Sequence, residues 1–241
     1  MNKLQGKKII WDGDSICQGG TLNGNWATRI SMWNGAMCVN YAKGGGTVTS
    51  NVRYQDEPDK CRHSVCSTID KMYKAHPDAD YVIFEGGTND ADLLGSLVCG
   101  ERPARVGSIE RDDFSGNYDA DTFCGALETI FYKATRYWKG KKIAYIVAHK
   151  MGFRTDGYTD DCNNRRAYFA EAIKACEKWG IPYLNLWDGC PLNPQLPWFY
   201  DRTISAEENV EAGSFYSDGQ HLTAAGYDYT ADIVDSFLKT L

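Results

Sequence analysis

At 241 residues, with 43% hydrophobic and 24% charged side chains, the chain has the size and composition of one α/β domain able to bury a substantial core. A net charge of −6 excludes the basic stripe of a nucleic-acid surface, and the longest apolar run, around Ile143 to Ala148, is far too short for a membrane span. Nine cysteines are scattered without a C-x-x-C pair, and Met1 to Lys8 is polar rather than a secretory apolar region, so reduced thiols and a cytoplasmic protein are expected.

Apolar runs with strand character alternate with helical stretches along the whole chain. Lys7 to Trp11 reads as the first strand, and Trp26 to Trp33 as a helix with Trp26, Ile30 and Trp33 on one face. Met37 to Tyr41 is the second strand and ends at a glycine block. Cys61 to Ala75 has the stripe Val65, Ile69 and Met72 or Tyr73 of a helix, and Tyr81 to Glu85 is the third strand. Asp121 is expected to cap a helix reaching Trp138, because its carboxylate can accept from first-turn N–H groups. Ile143 to Ala148, Asn163 to Trp179 and Tyr183 to Trp187 supply strand, helix and strand, with Gly180-Ile181-Pro182 as the stop between the last two. Thr223 to Thr240 is the terminal helix. Five strands alternating with helices predict an α/β, three-layer α/β/α sandwich on a parallel sheet, as a single domain over residues 1–241.

Four short blocks carry the chemistry. Gly13-Asp14-Ser15, Gly44-Gly45-Gly46 and Gly87-Thr88-Asn89-Asp90 follow strands one, two and three, where ligands of such sheets bind; Asp218-Gly219-Gln220-His221 precedes the last helix. A serine nucleophile needs a base, the base needs an orienting carboxylate, and the oxyanion needs fixed donors. Ser15, His221 and Asp218 can fill the first three roles, and the backbone N–H groups of Ser15 and Gly45 with the Asn89 amide the fourth. Asp14 reads as a structural acceptor for the Ser15 turn, while His63 and His76 read as solvated surface. The strand–turn–helix elbow G-x-S-x-G is absent, because Cys17 occupies its last position. No Walker A, H-E-x-x-H or dinucleotide fingerprint occurs and no His/Cys cluster has ligand spacing, so no metal or cofactor is expected.

In this order the blocks resemble the SGNH (GDSL-type) hydrolases, a family of serine esterases and deacylases, from Ile10 to the last helix. Isoleucine stands at position 16 where the family name has leucine. The resemblance places the family's serine on Ser15, its glycine on Gly44 or Gly45, its asparagine on Asn89 and its histidine on His221. Counting from Asn40 favours Gly45. It implies a five-stranded, flavodoxin-like parallel sheet and hydrolysis of acyl esters, with activity rising through a histidine ionisation at roughly pH 6 to 7.

The long connections Ala91 to Ala120 and Gly189 to Ser217 are the expected specificity elements. Pro197-Trp198-Phe199-Tyr200 and Phe215-Tyr216 can stack on a sugar or seal the loop onto the core. Gly44, His149 (at the end of strand four), Trp198 and Tyr216 are the candidate substrate contacts. A small polar ester such as an O-acetylated sugar is the expected partner. The alternatives are thioester or lysophospholipid hydrolysis, acyl transfer, or a non-catalytic binding module.

Overall fold

In a computed structural model the described residues are 2–20, 24–50, 52–53, 60–91, 104–152 and 161–241. The strands are β1 (Lys8–Asp12), β2 (Met37–Asn40), β3 (Tyr81–Glu85), β4 (Lys142–Val147) and β5 (Tyr183–Asn185). They form one parallel sheet in the order β2-β1-β3-β4-β5. Their β-branched and aromatic side chains pack on both faces, and β3 is buried at every position. The chain reverses its direction of travel across the sheet between β1 and β3, so the carboxyl ends of those two strands open the crevice in which such sheets bind ligands.

The helices are α1 (Ser15–Gln18), α2 (Trp26–Asn34), α3 (Val65–Ala75), α4 (Thr88–Ala91), α5 (Phe123–Tyr137), α6 (Asp161–Trp179), α7 (Leu186–Gly189), α8 (Ala206–Glu211) and α9 (Ala224–Thr240). One layer pairs α2 with α9, and the other packs α3 on α5 and α5 on α6, completing the α/β/α sandwich. On α9, Tyr227, Ala231, Val234 and Leu238 recur at helical spacing and are buried, with Ile233 and Phe237 partly buried beside them. Trp26 of α2 packs edge-on against Tyr227 and donates from Nε1 to Thr230 Oγ1 at 2.9 Å. The Tyr227 hydroxyl donates to the Ile16 carbonyl at 2.9 Å, which fastens the C-terminal helix to the turn containing Ser15.

Three boundaries differ from the sequence expectation. Thr122, not Asp121, caps α5: Thr122 has extended backbone and its hydroxyl accepts from the Gly125 N–H at 3.1 Å, whereas Asp121 is exposed one residue upstream. The fifth strand stops at Asn185, whose Oδ1 accepts from the Asp188 N–H at 3.1 Å and winds Leu186 and Trp187 into α7. Cys61 to Ser64 precede α3, which Ser64 caps by accepting from the Ser67 N–H. Part of the first long connection, residues 92–103, lies outside the described residues. Among the described residues no helix is long and apolar enough to cross a membrane.

Removing the Thr122 hydroxyl leaves first-turn donors of α5 unsatisfied. Thr122→Ala should therefore lower unfolding stability by about 1 kcal/mol, and Asp121→Ala by less; urea denaturation of both variants measures the difference.

Candidate active site

Ser15 is the first residue of α1, which begins where β1 ends. Asp14 caps this short helix, its Oδ1 accepting from the Ile16 N–H at 2.8 Å. The Asp14 N–H in turn donates to Glu85 Oε2, at the end of β3, at 3.1 Å. Only glycine fits between them: a Cβ on Gly13 would lie 2.6 Å from Glu85 Oε2 and 2.8 Å from Cys17 Cβ. Asp14 and Glu85 are both fully buried. Burial, and then the charge of Asp14, push Glu85 well above the ordinary carboxylate range, and burial also raises Asp14. Two adjacent buried carboxylates resist ionising together, which adds to the effect of burial on Glu85.

Asp218 and His221 lie in a turn before α9; Thr223, rather than Asp218, is the cap of that helix. The Asp218 carboxylate organises the turn. Its Oδ1 accepts from the N–H groups of Gln220 at 2.9 Å and His221 at 2.7 Å, and its Oδ2 lies 2.7 Å from His221 Nδ1. His221 Nε2 is then 3.0 Å from Ser15 Oγ. Burial alone would raise Asp218, but the hydrogen bond to the ring, the ring's charge and the backbone donors outweigh it and bring its pKa to about 2. For His221, burial pulls downward while the bond to Asp218 and the Asp218 charge pull upward. The balance raises it above the usual histidine value.

The glycine block faces the same turn. The Gly44 N–H donates to Gln18 Oε1 at 2.6 Å and the Gly46 N–H to the Lys43 carbonyl at 2.9 Å. The Gly45 N–H has no acceptor among the described residues. Gly45 also has φ +71°, and a Cβ there would come within 2.9 Å of Arg62 Nη2, so this position takes glycine on two counts. From the start of α4, Asn89 Nδ2 donates to the Gly46 carbonyl at 2.8 Å, which orients the amide and leaves its second N–H unengaged. The next residue, Asp90, is fully buried and holds the segment that follows the block. Its carboxylate accepts from the Val48 N–H at 2.8 Å and from the Thr49 N–H and hydroxyl at 2.9 and 2.7 Å.

The chain matches the GDSL-like lipase/acylhydrolase family over residues 13–229. It belongs to that family. It is accordingly a GDSL-type ester hydrolase, and the neighbours in structure agree with the fold. A Lactobacillus plantarum protein is 20% identical with a TM-score of 0.71, covering 98% of each chain. A carbohydrate acetylesterase from Sinorhizobium meliloti is 11% identical with a TM-score of 0.63, covering 97% of this chain and 99% of its own. An acetyl xylan esterase is 16% identical with a TM-score of 0.62, covering 97% of this chain and 100% of its own. No curated protein sequence matches the chain.

Ser15, Asp218, His221, Gly45 and Asn89 thus converge, while three other expectations need correction. His149 and Tyr216 do not face an open pocket. Both are fully buried, their rings 5.5 Å apart, because the turn carrying Asp218 folds over the end of β4. His149 Nε2 lies 2.9 Å from the Gln220 carbonyl, and the Tyr216 hydroxyl donates to the Lys150 carbonyl at 2.7 Å. His63 is not solvated surface; its Nε2 lies 2.7 Å from Asp12 Oδ1, and the side chain is only 16% exposed. Gly44 sits with its N–H held by Gln18. Trp198 is 68% exposed, whereas Tyr200 is buried and Phe199 and Phe215 pack on the core, so most of that aromatic loop seals the fold. Sequence reasoning missed Gln18 and Glu85, whose signals were a polar residue one helical turn past the serine and an acid closing an apolar strand. It also missed buried Arg165, which donates to Gln220 Oε1 at 3.0 Å.

Burial lowers the His149 pKa to about 4, the nearby charges of His221 and Arg165 acting in the same direction. In the unfolded chain this group titrates near 6.5, so between pH 6.5 and 4 the unfolded state binds the extra proton and stability falls as pH is lowered. His149→Gln keeps an N–H for the Gln220 carbonyl and removes the titration. Urea midpoints across that window should show the wild type losing stability more steeply than the variant, by up to about 1.4 kcal/mol per pH unit.

Proposed function

We propose that Ser15, His221 and Asp218 form a nucleophile–base–orienter relay that hydrolyses small carboxylic esters, with an O-acetylated sugar as the substrate class. The carrying observation is the unbroken chain from Ser15 Oγ to His221 Nε2 at 3.0 Å and from His221 Nδ1 to Asp218 Oδ2 at 2.7 Å. Asp218 fixes the proton on Nδ1, so Nε2 accepts the Ser15 proton as Oγ attacks the ester carbonyl. The negative charge formed on the carbonyl oxygen is taken by the free N–H groups of Ser15, Gly45 and Asn89, which are stronger partners for an oxyanion than for the neutral ground state. His221 then gives its proton to the departing alcohol, leaving the acyl group on Ser15. Water, deprotonated by His221, releases the acid and restores the serine. The carbohydrate acetylesterase and acetyl xylan esterase among the structural neighbours support an acetyl group on a sugar, as does the polar lining of the crevice beside Gln18.

Ser15→Ala should remain folded and lose turnover of 4-nitrophenyl acetate by at least about a thousandfold, and a fluorophosphonate should add its mass to Ser15 in the wild type. A folded Ser15→Ala protein with near wild-type turnover would move the nucleophile elsewhere.

Because neutral His221 accepts the serine proton, kcat/KM should rise with pH through a single inflection above the ordinary histidine value of about 6.5. Asp218→Asn removes the groups that raise His221 and should shift the inflection downward while lowering the plateau. A pH–rate profile with an unmoved inflection in that variant would separate the ionisation from this pair.

A further inference from the structure

Beside the oxyanion glycines lies a cavity of about 520 Å³ that the relay does not use. That volume is within the range of small-ligand sites. It adjoins Ser15 through shared walls. Gln18, one turn after the serine, lines it while holding the Gly44 N–H; Lys43 lines it while its own N–H donates to the Gly13 carbonyl at 3.1 Å. His63 forms another part of the wall, and a Cβ on Gly46 would touch its ring at 3.0 Å. The cavity therefore borders the residues that follow Ser15 and the loop that leads into the glycine block.

Its chemistry is cationic in a chain of net charge −6. Lys43 and Lys71 both line it, and among the described residues no lining side chain is acidic. Several lysines elsewhere do have a carboxylate partner, as in Lys8–Asp78, Lys133–Asp70 and Lys239–Asp235. Neither Lys43 nor Lys71 has a carboxylate partner among the described residues. The Lys71 ammonium is 5.8 Å from the centre of the Tyr41 ring, another wall residue, which holds the charge at the cavity. The nearest acid beneath the wall, Asp12, is fully buried and already bound by His63 and the Gly13 N–H. Two ammonium groups with no ion-pair contact among the described residues, set around a concave polar space with the Gln18 amide as a further donor, make a receptor for an anion rather than for an acyl chain.

We propose that this cavity binds an anionic group, a sugar carboxylate or phosphate, on the part of the ester that does not react. Lys43 and Lys71 supply the attraction, so the enzyme prefers acidic esters over neutral ones. The word substrate rests on the Ser15 reading above; binding of the anion itself does not.

The test begins with Ser15→Ala protein, titrated calorimetrically with glucuronate, glucose 6-phosphate and glucose at low salt. At least one acidic sugar should bind about tenfold more tightly than glucose, the scale of two partly exposed ion pairs. The preferred acid identifies carboxylate or phosphate as the natural group. Adding Lys43→Gln and Lys71→Gln together should abolish the preference, whereas Lys43→Arg with Lys71→Arg should retain it. In the Ser15 enzyme, the ratio of kcat/KM for acetylated glucuronate or acetylated glucose 6-phosphate to that for acetylated glucose should fall about tenfold in the double Gln variant. Equal binding of acidic and neutral sugars, or a preference that survives the double Gln change, overturns the proposal. A wild type that hydrolyses none of the esters while its Ser15→Ala form still selects the acidic sugar overturns the esterase reading alone.

Discussion

Ser15 and His221 are 206 positions apart in the chain, yet their contact of 3.0 Å is the interaction around which the site is arranged. A displacement of even 1 Å would end it as a useful hydrogen bond. Two independent anchors hold that distance. The Ser15 end is tied to the sheet through Asp14 and Glu85, while the His221 end rides on α9. The buried face of α9, with Tyr227, Ala231, Val234 and Leu238, docks the helix against α2. Burial of Val234 and Leu238 is worth roughly 1.5–3 kcal/mol each, more than a typical single hydrogen bond, so hydrophobic docking positions the Ser15–His221 contact. The Tyr227 bond to the Ile16 carbonyl then converts helix docking into registration with the Ser15 turn.

Buried carboxyl groups do the local work. Asp12, Asp14, Glu85 and Asp90 all lie at the carboxyl ends of β1 and β3 or just beyond, and all are fully buried. Burying such groups is unfavourable unless each finds donors. At a strand end the ladder stops, and the N–H groups of the following turns need acceptors. Asp14 serves Ile16, Glu85 serves Asp14, Asp90 serves Val48 and Thr49, and Asp12 serves Gly13 and His63. An apolar residue at any of these places would fill the space and leave a backbone donor unsatisfied. The acids thus convert three flexible, glycine-containing turns into one rigid surface.

The strand and helix pattern was legible because it is local: apolar period and stop residues identify β1 to β4, α2 and α9 within a residue or two. The four blocks were legible because their spacing places them at strand ends in a topology whose chemistry is located there. What spacing does not encode is a partner far away in sequence. Nothing around Gln18 announces that its amide oxygen holds Gly44, and nothing around His63 announces Asp12. His149 stands at the correct rim of the sheet, yet the returning turn of Gln220 and Tyr216 covers it, and only the three-dimensional path of that turn decides between pocket lining and burial. Thr122 and Asp121 are both competent caps by type; the choice rests on which residue has the extended backbone, a matter of one position.

The crevice has two sides with different supports, and this has a consequence for specificity. The Ser15–His221–Asp218 contacts are carried by the turn after β1 and the turn before α9, braced by α2. The lysines of the cavity are carried by the loop after β2 and by α3, which packs on α5 in the opposite layer, while Gln18 to Gly20 close it from the β1 side. The glycine block joins the two sides, and Asp90 and Asn89 fix it from the end of β3. Side chains such as Lys43 and Lys71 project from that frame at its exposed margin and hold up none of the buried ties described. On the proposal above, their exchange alters which ester is favoured without moving the Ser15–His221 contact. Loops on a rigid sheet carry specificity in this way, because binding groups and reacting groups are fastened to the same scaffold by separate bonds.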